Sequence, residues 1–228
     1  MMKKWDELPK DMQNKEVKYY YDILCKKQKS IKAKRVFDVV VSILLIFFLS
    51  PLFLVIGMMI KVDSPGPVLY RQIRVTTYGN EFTIFKFRTM VNNADKMGSH
   101  VTTKNDSRIT RVGHILRKIR LDELPQLFNV LIGDMTFVGT RPEVPKYASC
   151  YTDVMKATWL MPAGVTSKTS IEYKDEERLL KNAENADEVY VQQILPAKME
   201  YNLQELEQFG FFRDISTMIQ TVIAVFIN

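Results

Sequence analysis

Cysteine and histidine are scarce, two of each in 228 residues. Cys25 and Cys150 lie far apart, and His100 and His114 have no partners at metal-ligand spacing, so neither a disulfide framework nor a zinc site can be read from them. Both thiols read as reduced and structural, which suits a cytoplasmic setting. Internal repeats and low-complexity tracts are missing as well. A secretory leader is not the expectation, because the basic N-terminal stretch is long and no small-residue cleavage site follows the apolar run. No recognisable nucleic-acid module is present, so nucleic acid is not an expected partner.

Charge is missing from residues 39–60, a run of 22 without a single ionisable side chain. As one helix it would rise about 33 Å, enough to cross a hydrocarbon core of about 30 Å. Two features oppose crossing. Ser50-Pro51 falls in the middle, where proline removes a donor and clashes with the preceding turn. Both flanks are basic, with Lys26, Lys27, Lys29, Lys32, Lys34 and Arg35 before the run and Lys61, Arg71 and Arg74 after it. A crossing helix would send one of these clusters through the membrane. The expectation is therefore a re-entrant helix-break-helix hairpin, entering one leaflet, turning at Ser50 and Pro51, and returning. Asp38, at its border, is expected to pair with Lys34 or Arg35.

The net charge of +6 is unevenly spread: +6 over residues 1–35, −1 over 36–60, +8 over 61–120 and −7 over 121–228. The positive excess brackets the apolar run, which points to anionic partners, either lipid headgroups or phosphates. The chain divides into a basic extension (1–31), the membrane hairpin (32–62) and a cytosolic, membrane-associated domain (63–228). A helix is expected over 10–29. Ser64-Pro65-Gly66-Pro67 is a turn, and two strands follow at 68–75 and 81–90 around Tyr78-Gly79-Asn80. Strand parity puts Lys86 and Arg88 on one face. Residues 91–106 read as a polar loop, 110–120 as an amphipathic helix, 123–131 as a core helix ended by Gly133, 166–173 as a short strand, 174–185 as a charged exposed helix and 200–209 as a helix. The amphipathic segment 214–226 is too short to cross a membrane and suits packing on the domain or lying at the bilayer surface. The fold class is α/β, mostly helical, with a short β-hairpin and interfacial amphipathic helices.

Residues 117–142 concentrate the chemistry. Arg117, Lys118 and Arg120 precede adjacent Asp122 and Glu123, then Leu124-Pro125, and Arg141 follows between Thr140 and Pro142. Asp122 reads either as the N-cap of the next helix, with Pro125 in the first turn, or as a carboxylate in a field of guanidinium groups that would also hold a phosphate.

Several ordered motifs resemble the bacterial sugar transferases, the small monotopic phosphoglycosyl transferases: Arg35-Val36-Phe37-Asp38, Ser50-Pro51, Ser64-Pro65-Gly66-Pro67, Phe85-Lys86-Phe87-Arg88-Thr89-Met90, Leu121-Asp122-Glu123-Leu124-Pro125-Gln126-Leu127-Phe128-Asn129-Val130, and Gly133-Asp134-Met135 onward to Arg141-Pro142. The resemblance covers roughly residues 32–226. It implies transfer of a sugar-1-phosphate from a UDP-sugar to undecaprenyl (polyprenyl) phosphate, releasing UMP, at the cytoplasmic face of the bacterial inner membrane, as the first membrane step of polysaccharide or glycoconjugate assembly. It implies Asp122 as the nucleophile that carries a covalent phosphosugar, Glu123 with Asp122 as Mg²⁺ ligands, and Lys86, Arg88, Arg117 and Arg141 as contacts to the diphosphate or the lipid phosphate. Membrane lipids are implied partners, and homo-oligomerisation stays open.

The charges agree with that chemistry, since a carboxylate attacking an anionic diphosphate needs cations to offset the repulsion. Adjacent residues on a helix point about 100° apart, which favours two roles for the dyad over one shared proton. The chain departs from the family pattern at Thr140, where many relatives have proline, and at Pro162-Ala163-Gly164-Val165-Thr166-Ser167, where many have Pro-Gly-(Ile/Val)-Thr-Gly. The competing reading is a non-catalytic membrane-surface protein that binds anionic lipid or nucleic acid through its basic segments.

Overall fold

This computed structural model describes residues 2–94, 106–172 and 186–226. Most of the expected 91–106 loop and the charged helix expected at 174–185 lie outside the described residues. The N-terminal residues form two single 3-10 turns and helix α1 (Lys15–Lys26), which starts where the Asn14 side chain accepts from the Val17 amide at 2.8 Å. One face of this segment is buried: Leu8, Met12, Val17 and Leu24 form a core with Ala157, Leu160, Leu203 and Leu206. Lys27 then donates to the Glu207 and Phe209 carbonyls, each at 2.8 Å, at the end of helix α8 (Leu195–Glu207).

Helix α2 (Gln28–Asp63) runs 36 residues and is long and apolar enough to cross a membrane by length and composition. The expected break at Ser50-Pro51 is corrected, because the helix continues through Pro51. Proline lacks the N–H that would bond the carbonyl four residues back, at Phe47. The Ser50 hydroxyl donates to that same carbonyl at 2.8 Å, so the pair satisfies locally what the proline leaves open.

The two faces of α2 differ. Phe37, Val41, Leu45, Leu49 and Phe53 recur every four residues and pack against a cluster containing Ile84, Leu127, Val130 and Phe137. Ile56 and Ile60 continue the row onto Phe87 and Leu116. The opposite face is apolar and exposed, with Phe47 and Phe48 each 71% accessible near its middle. Such a face exceeds what a water-facing helix carries and marks a contact with lipid or protein.

Polar contacts dock both ends of α2 on the same domain. At the N-terminal end Lys34 pairs with Asp214 and donates to the Val138 carbonyl at 2.8 Å, while Arg35 donates to the carbonyls of Val130 and Leu131 at 2.6 and 2.9 Å. Asp38 accepts from the Thr136 hydroxyl at 2.6 Å, a bond across the core, and the expected partners Lys34 and Arg35 act on it electrostatically. At the C-terminal end Asp63 accepts from the Val112 amide at 3.0 Å.

Strands β1 (Leu69–Val75) and β2 (Glu81–Phe87) pair antiparallel from Leu69↔Phe87 to Val75↔Glu81, and Tyr78 turns the hairpin with φ 60. The strand expected to reach residue 90 stops at Phe87, and the next side chain, Arg88, reaches the 64–67 turn. Gly66 has φ 125 there, and a Cβ on it would fall 2.0 Å from Arg88 Nη1. Helix α3 (Arg111–Lys118) is capped by Thr110, and helix α4 (Gln126–Ile132) ends at Gly133 with φ 110.

From α4, fully buried Asn129 accepts from the Phe85 amide at 3.0 Å and donates to the Thr83 carbonyl at 2.8 Å. It thereby completes the open edge of β2 as a neighbouring strand would. Asn129→Leu is expected to leave both backbone groups unpaired and to cost about 2–4 kcal/mol, read as a lower unfolding temperature of the detergent-solubilised protein.

Strand β3 (Met135–Val138) pairs parallel with β4 (Ala163–Thr166). Their continuations approach closely at two glycines, and a Cβ on Gly164 would meet the Gly139 carbonyl oxygen at 2.2 Å. The strand expected at 166–173 is corrected. Thr166 ends β4, and the Ser167 hydroxyl accepts from the Ser170 amide at 2.9 Å, starting a short helix α6 (Lys168–Glu172) that follows α5 (Pro145–Ala148) in chain order. Helix α7 (Ala186–Val189) leads through a π-helical turn, Tyr190–Ile194, into α8. Helix α9 (Phe211–Phe226) packs Met218 against the α2 cluster and exposes Phe212, Ile219, Val222 and Ile223.

Candidate active site

Helix α3 ends at Lys118, and Arg120 turns the chain with φ 57, a left-handed conformation that costs a non-glycine residue on the order of 1 kcal/mol or more. Leu121–Glu123 then forms one 3-10 turn, and α4 begins three residues later with Pro125 as its N-cap. The capping reading of Asp122 is therefore corrected. Among the described residues Asp122 Oδ1 is buried without a hydrogen-bond partner. Burial, followed by the neighbouring Glu123, raises the Asp122 pKa above the ordinary carboxylate value, while Lys86, Arg117 and Arg120 pull it down.

Glu123 is the meeting point of three separate elements. Its Oε1 accepts from Lys86 Nζ, on β2, and from Arg141 Nη2, in the loop after β3, each at 2.8 Å. Burial alone would raise the Glu123 pKa, but Arg141 and Lys86 hold it well below the usual range. Glu123 in turn raises that of Arg141, whereas burial, against the pull of Glu123, lowers that of Lys86. The dyad thus splits by environment. Glu123 is a fixed anion held by two cations, and Asp122 keeps an oxygen uncommitted.

The four expected cationic contacts divide. Lys86 and Arg141 meet at Glu123. Arg117 acts electrostatically on Asp122 and fixes its Nε on the Thr89 hydroxyl at 2.9 Å. Arg88 goes elsewhere: its guanidinium donates to the carbonyls of Pro65 and Ser64 at 2.6 and 2.7 Å and so pins the turn that follows α2. The two cations that strand parity placed together therefore bond different segments, Lys86 the dyad and Arg88 the turn after α2. Arg74 was not an expected site residue, yet its Nη1 donates to the Pro142 carbonyl at 3.0 Å, beside Arg141. Only the hairpin register and the fold of the 139–143 loop bring it there, and nothing local in the sequence signals it.

Among the described residues no third Asp, Glu, His or Cys joins the dyad to form a metal cluster. Mg²⁺ commonly takes only one or two protein carboxylates and fills its shell with water and substrate phosphates. The unpartnered buried oxygen of Asp122 beside the Glu123 carboxylate fits that donor pattern.

The profile of the bacterial sugar transferase family matches residues 29–228. The chain is 35% identical over 201 residues to the UDP-glucose:undecaprenyl-phosphate glucose-1-phosphate transferase of Klebsiella pneumoniae, covering 86% of this chain and 40% of that protein. It is 36% identical over 192 residues to the Caulobacter vibrioides protein of the same name, covering 83% of this chain and 68% of that protein. Over 110 residues it is 46% identical to the UDP-N-acetylgalactosamine-undecaprenyl-phosphate N-acetylgalactosaminephosphotransferase of Aeromonas hydrophila, covering 48% of this chain and 26% of that one. The chain thus spans well under half the length of several of the relatives it matches.

Proposed function

This chain belongs to the bacterial sugar transferase family, and from that premise we propose that it moves a sugar-1-phosphate from a UDP-sugar to undecaprenyl (polyprenyl) phosphate and releases UMP. The observation that carries the reading is the divided dyad: Asp122 with a buried, uncommitted oxygen, next to Glu123 held by Lys86 and Arg141. An Asp122 oxygen attacks the phosphorus that bears the sugar, the P–O bond to UMP breaks, and an aspartyl phosphosugar remains. A phosphate oxygen of the lipid then attacks that phosphorus, the Asp122–P bond breaks, and the free carboxylate returns. Lys86, Arg117 and Arg141 offset the charge of the diphosphate as the attack develops. Asp122 and Glu123 would hold Mg²⁺, which supplies further neutralisation of the phosphate oxygens.

Incubation with undecaprenyl phosphate, Mg²⁺ and either UDP-glucose or UDP-N-acetylgalactosamine is expected to release UMP with one of the two, the donors in the relatives' names. Absence of UMP across a wider UDP-sugar panel would end the transferase reading. Salt-sensitive vesicle binding that persists without either carboxylate would then favour a surface-binding protein.

The membrane arrangement that best suits this chemistry is monotopic, with α2 held at one leaflet rather than turning back within it, and the domain on the cytoplasmic face of the inner membrane. Support comes from α2, both of whose ends dock on one domain, through Lys34, Arg35 and Asp38 at one end and Asp63 at the other. A helix crossing a core of about 30 Å would put those ends on opposite sides. The exposed apolar residues of α9 suit the same interface. In a variant whose native cysteines are replaced, single cysteines in place of exposed Lys29 and Lys61 are expected to escape an impermeant maleimide added outside intact spheroplasts and to react in inverted vesicles. Labelling of either one from outside would establish a spanning helix instead.

A further inference from the structure

Glu143, two residues beyond Arg141, is only 7% exposed. Its carboxylate accepts from the Tyr190 hydroxyl, and Lys198 Nζ lies 3.6 Å from the same oxygen while donating to that hydroxyl at 3.1 Å. The Tyr190 ring packs on Tyr147 with centroids 4.5 Å apart. The backbone around Arg141 is tied on both sides: Gly139 N to the Thr166 carbonyl at 3.0 Å, Gly164 N to the Thr140 carbonyl at 2.8 Å, Arg74 to the Pro142 carbonyl and Val75 N to the Glu143 carbonyl at 2.9 Å. Arg141 therefore leaves a clamped loop, and its side chain reaches Glu123.

A buried carboxylate with a lysine and a tyrosine is costly to desolvate and contributes little stability over an apolar replacement. It does fix a geometry. We infer that Glu143, held by Tyr190 and Lys198, is a positioning residue for Arg141, setting the 139–143 loop so that the guanidinium meets Glu123 and the substrate phosphates. Pro142 makes the coupling stiff, because its φ is locked and a shift at Glu143 is not absorbed between the two residues. Misplacement of a charge-bearing group by about 1 Å is enough to slow a reaction roughly a hundredfold.

The inference rests on the transferase reading for its kinetic arm, so the test has a chemical arm as well. Glu143→Gln and Tyr190→Phe are each expected to lower kcat/KM for UDP-sugar by about tenfold or more in the parent, and by about twofold or less when Arg141 is already alanine. Equal losses in both backgrounds would mean a merely structural role. Independently, phenylglyoxal modification followed by peptide mass spectrometry should show Arg141 reacting several-fold faster in either variant, with Arg88 unchanged. An unchanged Arg141 rate, or the same acceleration at Arg88, overturns the inference. If Glu143→Gln does not fold, Tyr190→Phe, which removes one hydroxyl and keeps the ring, carries both arms. A parent that makes no UMP refutes the transferase reading, while the modification rates still decide the positioning.

Discussion

Asp122→Asn is expected to reduce UMP release by about a thousandfold or more, the scale of loss when a covalent nucleophile is removed, while leaving the protein as stable as the parent within about 1 kcal/mol. The two halves have separate causes. Asparagine matches the shape of aspartate but has no anionic oxygen to attack phosphorus. Stability survives because Asp122 caps no helix and its Oδ1 has no hydrogen-bond partner to lose among the described residues. Burial already disfavours its charge, so neutralising it removes a desolvation cost along with some attraction from Lys86, Arg117 and Arg120. UMP release and thermal unfolding of the same preparation check both halves. An Asp122→Asn protein that turns over like the parent would remove the nucleophile assignment.

The second large effect has the opposite signature. Glu123→Ala leaves Lys86 and Arg141 facing each other without the carboxylate that holds both. Removing one member of a buried charge group costs about 3–5 kcal/mol, and the lower end applies here because Arg141 is still partly in contact with water. For a chain of this size the unfolding temperature should fall by roughly 10 °C, and activity should drop by about a hundredfold or more as both cations lose their places. Glu123→Gln keeps an acceptor for one of them, so it should recover part of the stability and little of the activity. A Glu123→Ala protein as stable as the parent would mean that the three-way contact does not organise the site. Asp122→Asn should therefore be inactive and stable, and Glu123→Ala inactive and unstable.

Much of the architecture was legible because it rests on local rules. Thr110 and Gly133 mark real helix ends, Tyr78-Gly79 turns a real hairpin, and the uncharged run is a real helix with an exposed apolar face. The composition of the dyad and its cations was legible too. What failed depended on compensations and contacts that single-residue propensity does not carry. Proline in a helix signals a break, but the Ser50 hydroxyl supplies the missing donor to Phe47, a compensation that the propensity of either residue does not reveal. Whether Asp122 caps a helix depends on where α4 begins, and the left-handed Arg120 inserts an extra turn that moves that start to Gln126. Arg88 alternates correctly with Lys86, yet the carbonyls that capture it belong to residues 23 and 24 positions away. Lys34 with Asp214, 180 residues apart, and Arg74 with Pro142 join segments that no local pattern relates.

Intact-protein and peptide mass spectrometry of enzyme quenched with its UDP-sugar, in the absence of acceptor lipid, bears most directly on the role of Asp122. The expected result is one phosphosugar adduct on the peptide carrying Asp122, lost on addition of undecaprenyl phosphate and absent from Asp122→Asn. An adduct on another residue, or active turnover with no adduct at any stage, would contradict it.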